Sequence, residues 1–346
     1  MSDLVTLHDV QLAASRVTEV AVRTMLVPYI QPNRDERLLI KPESLQPTGA
    51  FKLRGAYAAI ASMSPQQRER GIIAHSSGNH ARAVAYAARS FDAHATIVMP
   101  RTAPPTKIEA TRSLGAEVVL CEPGVQPRIQ RTRELAEEHG YAGVAPFDDP
   151  RVIAGQGTVG LEIAEDVPDV DTVLVPISGG GLISGIAVAV KSLCPRALVI
   201  GVEPELAAHA RDSLRRRERV AWPPRDTART AADGLRVEQL GEVPFEHVLA
   251  YVDGIVTVTE DEIRAAVRQL ARRVRLVAEP AGAVTTAAYL FRRAELPPER
   301  PAGTHVAVLS GGNVDPALLA EVVGTAASGS RSVASPGGGD NSCSHA

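Results

Sequence analysis

Short runs of β-branched and apolar residues recur along this chain at intervals too long for hairpins and long enough for a helix. Ile72-Ile73-Ala74, Ala95-Thr96-Ile97-Val98, Glu117-Val118-Val119-Leu120, Thr172-Val173-Leu174-Val175, Leu198-Val199-Ile200-Gly201-Val202 and Val306-Ala307-Val308-Leu309 are nearly continuous in apolar character. Strands buried on both faces look like this. Between them lie segments with helical periodicity, among them Ala81 to Arg89, Pro105 to Leu114 and Leu182 to Leu193. Parallel neighbours need crossovers of that kind, so the pattern predicts an α/β fold of mostly parallel sheets with helices on both faces. Two helix starts are marked locally: Ser64-Pro65-Gln66-Gln67 and Thr259-Glu260-Asp261-Glu262 both read as capping boxes.

The rest of the composition mainly excludes. A chain of 346 residues has ample core for one large domain or two modest ones, and its 45% hydrophobic and 22% charged residues suit a globular protein. A net charge of -3 argues against a globally basic nucleic-acid binder. The densest basic stretch, Arg215-Arg216-Arg217-Glu218-Arg219, reads as a solvated helix face. Three cysteines, Cys121, Cys194 and Cys343, stand at no metal-like spacing and suit a reduced, cytoplasmic setting. The N-terminus lacks the pattern of a secretory signal, and no apolar run reaches the roughly 18 residues of a membrane span. From Ala326 onward the chain is rich in Ser and Gly, so 326–346 is expected to be a disordered tail.

Chemistry concentrates in four short segments. Lys52 lies in Pro47-Thr48-Gly49-Ala50-Phe51-Lys52-Leu53-Arg54-Gly55-Ala56, hemmed in by apolar and small residues. Burial penalises an ammonium and lowers its pKa, which makes a better amine nucleophile, of the kind that forms Schiff bases with aldehydes. Taken alone, it could equally be a solvated lysine at a helix start. Ser178-Gly179-Gly180-Gly181-Leu182 follows the strand Val173-Leu174-Val175-Pro176 and opens a helix. Backbone N–H groups there can approach an anion closely and the helix N-terminus adds partial positive charge, so a phosphate is the natural guest. The competing structural reading is a glycine-rich turn that binds nothing. Ser76-Ser77-Gly78-Asn79-His80 has the same setting and could hold a carboxylate, or could simply cap the next helix. Ser310-Gly311-Gly312-Asn313 closes the last strand. A rival of another class also exists. Gly179-x-Gly181-x-x-Ser184, with Glu203 ending the next strand, approximates a dinucleotide site, although Ser184 replaces the third glycine.

These four motifs, in this order, resemble the serine/threonine dehydratase and serine racemase family, from about Thr6 to Val323. The resemblance implies a tryptophan synthase β-like fold (fold type II of enzymes using pyridoxal phosphate, PLP) with two open, mostly parallel sheets. It implies a small domain, 71–148, inserted in a large one, 1–70 and 149–325, and a homodimer. Lys52 would hold PLP covalently, with Phe51 against its ring. Ser178, Gly179, Gly180, Gly181 and Leu182 would hold the phosphate, and Asn79 the ring hydroxyl. Ser310 would face the pyridine nitrogen. Ser76, Ser77, Asn79 and His80 would surround the carboxylate of an amino-acid substrate.

The activity implied is an ammonia-lyase (dehydratase) acting on L-threonine or L-serine. Serine racemase or hydroxyaspartate dehydratase is the alternative on the same scaffold, and a nicotinamide-dependent oxidoreductase is a distant one. Racemase-like members carry a serine at the place of Ser77 as the acid/base opposite the lysine. Such members also bind a divalent cation (Mg or Ca) through two acids and a carbonyl. Here Glu203 and Ala207 match the first acid and the carbonyl, but His209 stands where the second acid is expected. Hard cations prefer oxygen ligands, so this departure puts the cation in doubt.

Overall fold

The computed structural model describes residues 4–30, 36–296 and 303–324; the tail 326–346 and Cys343 lie outside them. Among the described residues ten strands form two sheets. The larger sheet takes β1 (Val27–Tyr29), β2 (Arg37–Pro42), β7 (Thr172–Pro176), β8 (Leu198–Pro204), β9 (Gly254–Val258) and β10 (Thr304–Leu309) in the order β1-β2-β10-β7-β8-β9. The smaller takes β3 (Ile72–His75), β4 (Ala95–Pro100), β5 (Glu117–Cys121) and β6 (Ala142–Gly143) in the order β5-β4-β3-β6. Every pairing is parallel except β1 with β2. All six apolar runs are strands, and both sheets are open, as an α/β reading requires.

The two-residue period of a strand distributes these runs between two cores. On the larger sheet Leu174, Ala307 and Leu309 face the helices Glu260–Gln269 and Pro280–Phe291, whereas Val173, Val175, Val306 and Val308 face Pro150–Asp166 and Gly181–Leu193. On the smaller sheet Ile72, Ala74 and Ile97 pack on one side and Ile73 and Val98 on the other. Each fully buried aliphatic side chain contributes about 1.5–3 kcal/mol, so no face of either sheet could be left bare at these positions. Both expected capping boxes form, at Ser64 and Thr259, and a third closes on Thr6 and Asp9.

The helix Lys52–Ala61 is clamped on two sides. Where it crosses Pro150–Asp166, a Cβ on Gly155 would lie 2.7 Å from the Cα of Gly55, so the helices meet backbone to backbone. On the other side Arg54, 1% exposed, joins a buried ionic cluster. Its Nε donates to Glu43 Oε2 at 2.8 Å and one terminal nitrogen to Glu162 Oε1 at 2.6 Å. Lys41 Nζ completes the cluster, donating to Glu162 Oε2 and to the Thr24 carbonyl, both at 2.6 Å. Burial alone would push the Glu43 carboxyl up, but the Arg54 guanidinium and Lys41 ammonium more than offset it and hold it below the usual carboxylate range.

Candidate active site

The functional segments meet because each follows the C-terminal end of a parallel strand, where ligand sites of open α/β sheets form. Ser76–His80 follows β3, Ser178–Leu182 follows β7 and Ser310–Asn313 follows β10. The segment before Lys52 is tied to the last of these. Phe51 N–H donates to the Ser310 carbonyl at 3.0 Å, and Gly312 N–H to the Gly49 carbonyl at 2.9 Å. Gly49 sits at φ +76°, where a side chain is strained, and a Cβ there would also strike the Asn313 amide.

Lys52 is the first residue of its helix, after Phe51 as N-cap. Its Nζ donates to the Pro146 carbonyl at 2.6 Å and lies 5.1 Å from the centre of the half-buried Phe51 ring. Burial pushes its pKa from 10.5 down to about 8. The positive end of its own helix dipole acts in the same direction. No carboxylate approaches within ion-pair distance of it among the described residues, so the amine is held for reaction rather than neutralised in a salt bridge.

The glycine loop is built to admit an anion. Gly180 adopts φ +95°, and a Cβ there would lie 2.7 Å from Pro244 Cβ. A Cβ on Gly179 would strike the Phe147 ring. The Gly179 carbonyl accepts from Gly241 N–H at 3.1 Å and Ser178 Oγ from Val237 N–H at 3.3 Å, which fixes the loop from outside. The N–H groups of Gly179, Gly180, Gly181 and Leu182 find no backbone acceptor among the described residues. Unspent donors at a helix start beside a lysine of lowered pKa fit a phosphate-bearing aldehyde, which is what the implied PLP is.

On the opposite side, Ser76 Oγ accepts from Gly78 N–H at 3.2 Å. Gly78 is the N-cap of the helix Asn79–Arg89, and no side chain caps that helix, so Ser77 is not spent on capping. A Cβ on Gly78 would meet nothing within 4 Å, so the loop faces open space. His80 is buried with its Nε2 3.0 Å from the Val144 carbonyl, and burial, helped by the Lys52 charge, pushes the imidazole down to about 3. It is neutral at pH 7. Asn79 Nδ2 donates to Glu279 Oε1 at 2.7 Å, and its Oδ1 accepts from Asn313 Nδ2 at 2.8 Å. Lys107 Nζ and Asp233 Oδ2, 2.7 Å apart, tie the helix Pro105–Arg112 to the turn Asp233–Leu235.

Glu203 is fully buried at the end of β8, and both its oxygens are engaged, accepting from Ala210 N–H at 3.0 Å and Arg211 N–H at 2.8 Å. It therefore secures the start of the helix His209–Arg216 and is not free to take a ribose, as a dinucleotide site would require. His209 Nε2 lies 3.9 Å from Glu203 Oε1. Burial pushes the carboxyl up to about 8 and the imidazole down to about 4, so the two are neutral partners rather than an ion pair. Ala207, in the short turn Glu205–Ala207, is buried beside them. A donor set with one engaged carboxyl and an imidazole does not fit a hard divalent cation.

Sequence reasoning singled out neither Glu279 nor the Arg54 cluster. A signal for the first existed: Val277-Ala278-Glu279-Pro280-Ala281-Gly282-Ala283-Val284 holds one charge in an apolar run. The second joins residues up to 121 positions apart and leaves no local trace.

Known proteins resemble this chain over most of its length. The family described as pyridoxal-phosphate dependent enzyme matches residues 17–311. An L-threonine ammonia-lyase from Thermotoga maritima is 44% identical over 325 residues, which are 92% of this chain and 78% of that protein. An L-threo-3-hydroxyaspartate ammonia-lyase from Saccharomyces cerevisiae is 39% identical over 313 residues, 90% of this chain and 94% of that one. Among solved structures, maize serine racemase matches with a TM-score of 0.87 at 33% identity, covering 92% of this chain and 97% of its own. The chain belongs to the pyridoxal-phosphate dependent enzymes, in the serine/threonine dehydratase and serine racemase family.

Proposed function

We propose that the protein is an ammonia-lyase that converts L-threonine or L-serine to a 2-oxo acid and ammonia. The observation that carries this reading is the amine of Lys52, lowered to about pKa 8 and, among the described residues, unpaired with any acid, beside a glycine loop whose N–H groups find no backbone acceptor there. Bound PLP supplies an electron sink that acidifies the Cα–H of an attached amino acid. Lys52 Nζ would hold the cofactor and, when free, would accept the substrate Cα proton as general base. The N–H groups of Ser178–Leu182 bind the phosphate, and the loop Ser76–Asn79 holds and orients the carboxylate. Ser310, buried after β10, offers the pyridine nitrogen a neutral hydroxyl. Without a carboxylate there the nitrogen is less firmly protonated, which supports elimination of the β-hydroxyl over transamination. Assaying 2-oxo acid release from L-threonine, L-serine and the 3-hydroxyaspartates tests the reading; no product from any of them would reject it.

The two sheets support a large domain of 1–70 and 149–325 and a small one of 71–148, with the site between them. The homodimer rests on the resemblance, and the cytoplasmic setting on the cysteine spacing.

Ser77 supports a second, minor activity. Racemisation needs an acid/base on each face of the substrate carbanion, and Ser77, which caps no helix, matches the serine that racemase-like members use opposite the lysine. Elimination from L-substrates is expected to dominate. Ser77→Ala should abolish D-serine formation and turnover of D-substrates while sparing most L-elimination. Chiral chromatography decides it, since D-serine produced at the wild-type rate by the variant rejects the role.

Because Glu203 is engaged by backbone and faces His209 rather than a second acid, activity should change less than about twofold between EDTA and added Mg²⁺. Steady-state rates measure this; a large reversible activation would contradict it.

A further inference from the structure

Glu279 is a buried carboxyl at the site that neither the phosphate loop nor the lysine uses. It is 4% exposed and precedes the helix Pro280–Phe291, yet its side chain makes no capping bond to that helix. It also forms no ion pair within 4 Å among the described residues; the nearby Lys107 pairs with Asp233 instead. A buried carboxyl without a cap or a counter-ion costs stability, which here is offset by hydrogen bonds from the Asn79 side chain and the Asn313 backbone. Its engaged oxygen accepts from Asn79 Nδ2 at 2.7 Å. Asn79 Oδ1 in turn accepts from Asn313 Nδ2, and Asn313 Oδ1 from Arg82 at 2.6 Å. The bond to Glu279 thus leaves Asn79 one N–H to direct elsewhere. Gly311 makes the arrangement possible, since a Cβ there would strike Glu279 Oε1.

We propose that Glu279 is a positioning residue: it fixes the amide of Asn79 so that the remaining N–H points at the ring hydroxyl of PLP, and its ionisation sets how strongly that N–H is held. The inference rests on the cofactor reading above and concerns this chain's own residues. The groups facing Glu279 are Asp233 and Lys107, the side chain of Asn79 and the backbone N–H of Asn313, with Arg82 behind Asn313. Burial, with Asp233 adding to it, pushes the carboxyl up to about 7. It is therefore protonated below that pH and charged above it, and the charged form is the stronger acceptor.

The test uses the PLP-loaded protein, with cofactor affinity and the visible spectrum as readouts, for wild type, Glu279→Gln, Glu279→Ala, Asn79→Ala and the double variant. Glu279→Gln copies the neutral form, so a spectral change with a midpoint near pH 7 in the wild type should vanish in it. Glu279→Ala should weaken PLP binding by about tenfold, the loss of one good hydrogen bond to a charged group. In the double variant the losses should not add, because both residues act through one amide. Additive losses, or a midpoint near 7 retained in Glu279→Gln, would overturn the proposal. Should Glu279→Ala fail to fold, the near-isosteric Glu279→Gln titration still decides. A wild type that takes up no PLP would reject the cofactor reading itself, a distinct result.

Discussion

Lys52→Ala is expected to lose the visible band of the cofactor-bound protein and to lower turnover by at least about a thousandfold, because one substitution removes both the covalent anchor and the general base. Wild-type protein treated with borohydride should carry PLP on Lys52 and the variant should not. The rate at which apoprotein captures PLP should rise with pH, with a midpoint near 8 rather than near 10.5, because only the neutral amine attacks. The consequence is large at neutral pH: a pKa of 8 leaves about a tenth of the amines neutral, against fewer than about one in a thousand at the ordinary value. An adduct formed at the same rate by the variant would mean that another lysine is the anchor. A midpoint close to 10 would mean that burial does not act on this amine.

Arg54→Ala is expected to cost about 3–5 kcal/mol of stability, because it leaves Glu43 and Glu162 buried without their guanidinium partner. Urea unfolding of wild type and variant measures the difference. Removing the acids as well, in an Arg54→Met, Glu43→Gln, Glu162→Gln protein, should recover part of the loss, since neutral groups no longer need a counter-charge. A loss below about 1 kcal/mol for Arg54→Ala would mean that the cluster is as well solvated as a surface pair.

What the sequence discloses here follows the range of the forces involved. The six strands announce themselves because each is a local apolar run, even β5, which leaves Leu120 exposed, and the capping boxes are legible because both partners lie three residues apart. β2 is harder to see. Arg37-Leu38-Leu39-Ile40-Lys41-Pro42 carries a charge near each end, and Glu162, on a distant helix, together with the Thr24 carbonyl makes Lys41 acceptable inside. β1 and β6 have three and two residues and no run to detect. The glycine loop and the lysine are legible as motifs, together with the phosphate and the lowered amine that they imply, but the Pro146 carbonyl and the Asn79–Glu279 bond are not, because both depend on contacts across the chain. The dinucleotide-like spacing shows the opposite error. Ser184 is fully buried against the Pro244 carbonyl, and Glu203 is taken by the backbone, so a plausible spacing encloses no nucleotide site.

The helix that carries Lys52 belongs to both halves of the molecule. Leu53, Ala56, Ala59 and Ile60 fill the core under the smaller sheet, while Gly55 and Arg54 lock against the body of the larger one. A helix gripped from both sides ties the two cores together, so Lys52, its first residue, stands where the packing of the smaller sheet meets that of the larger one.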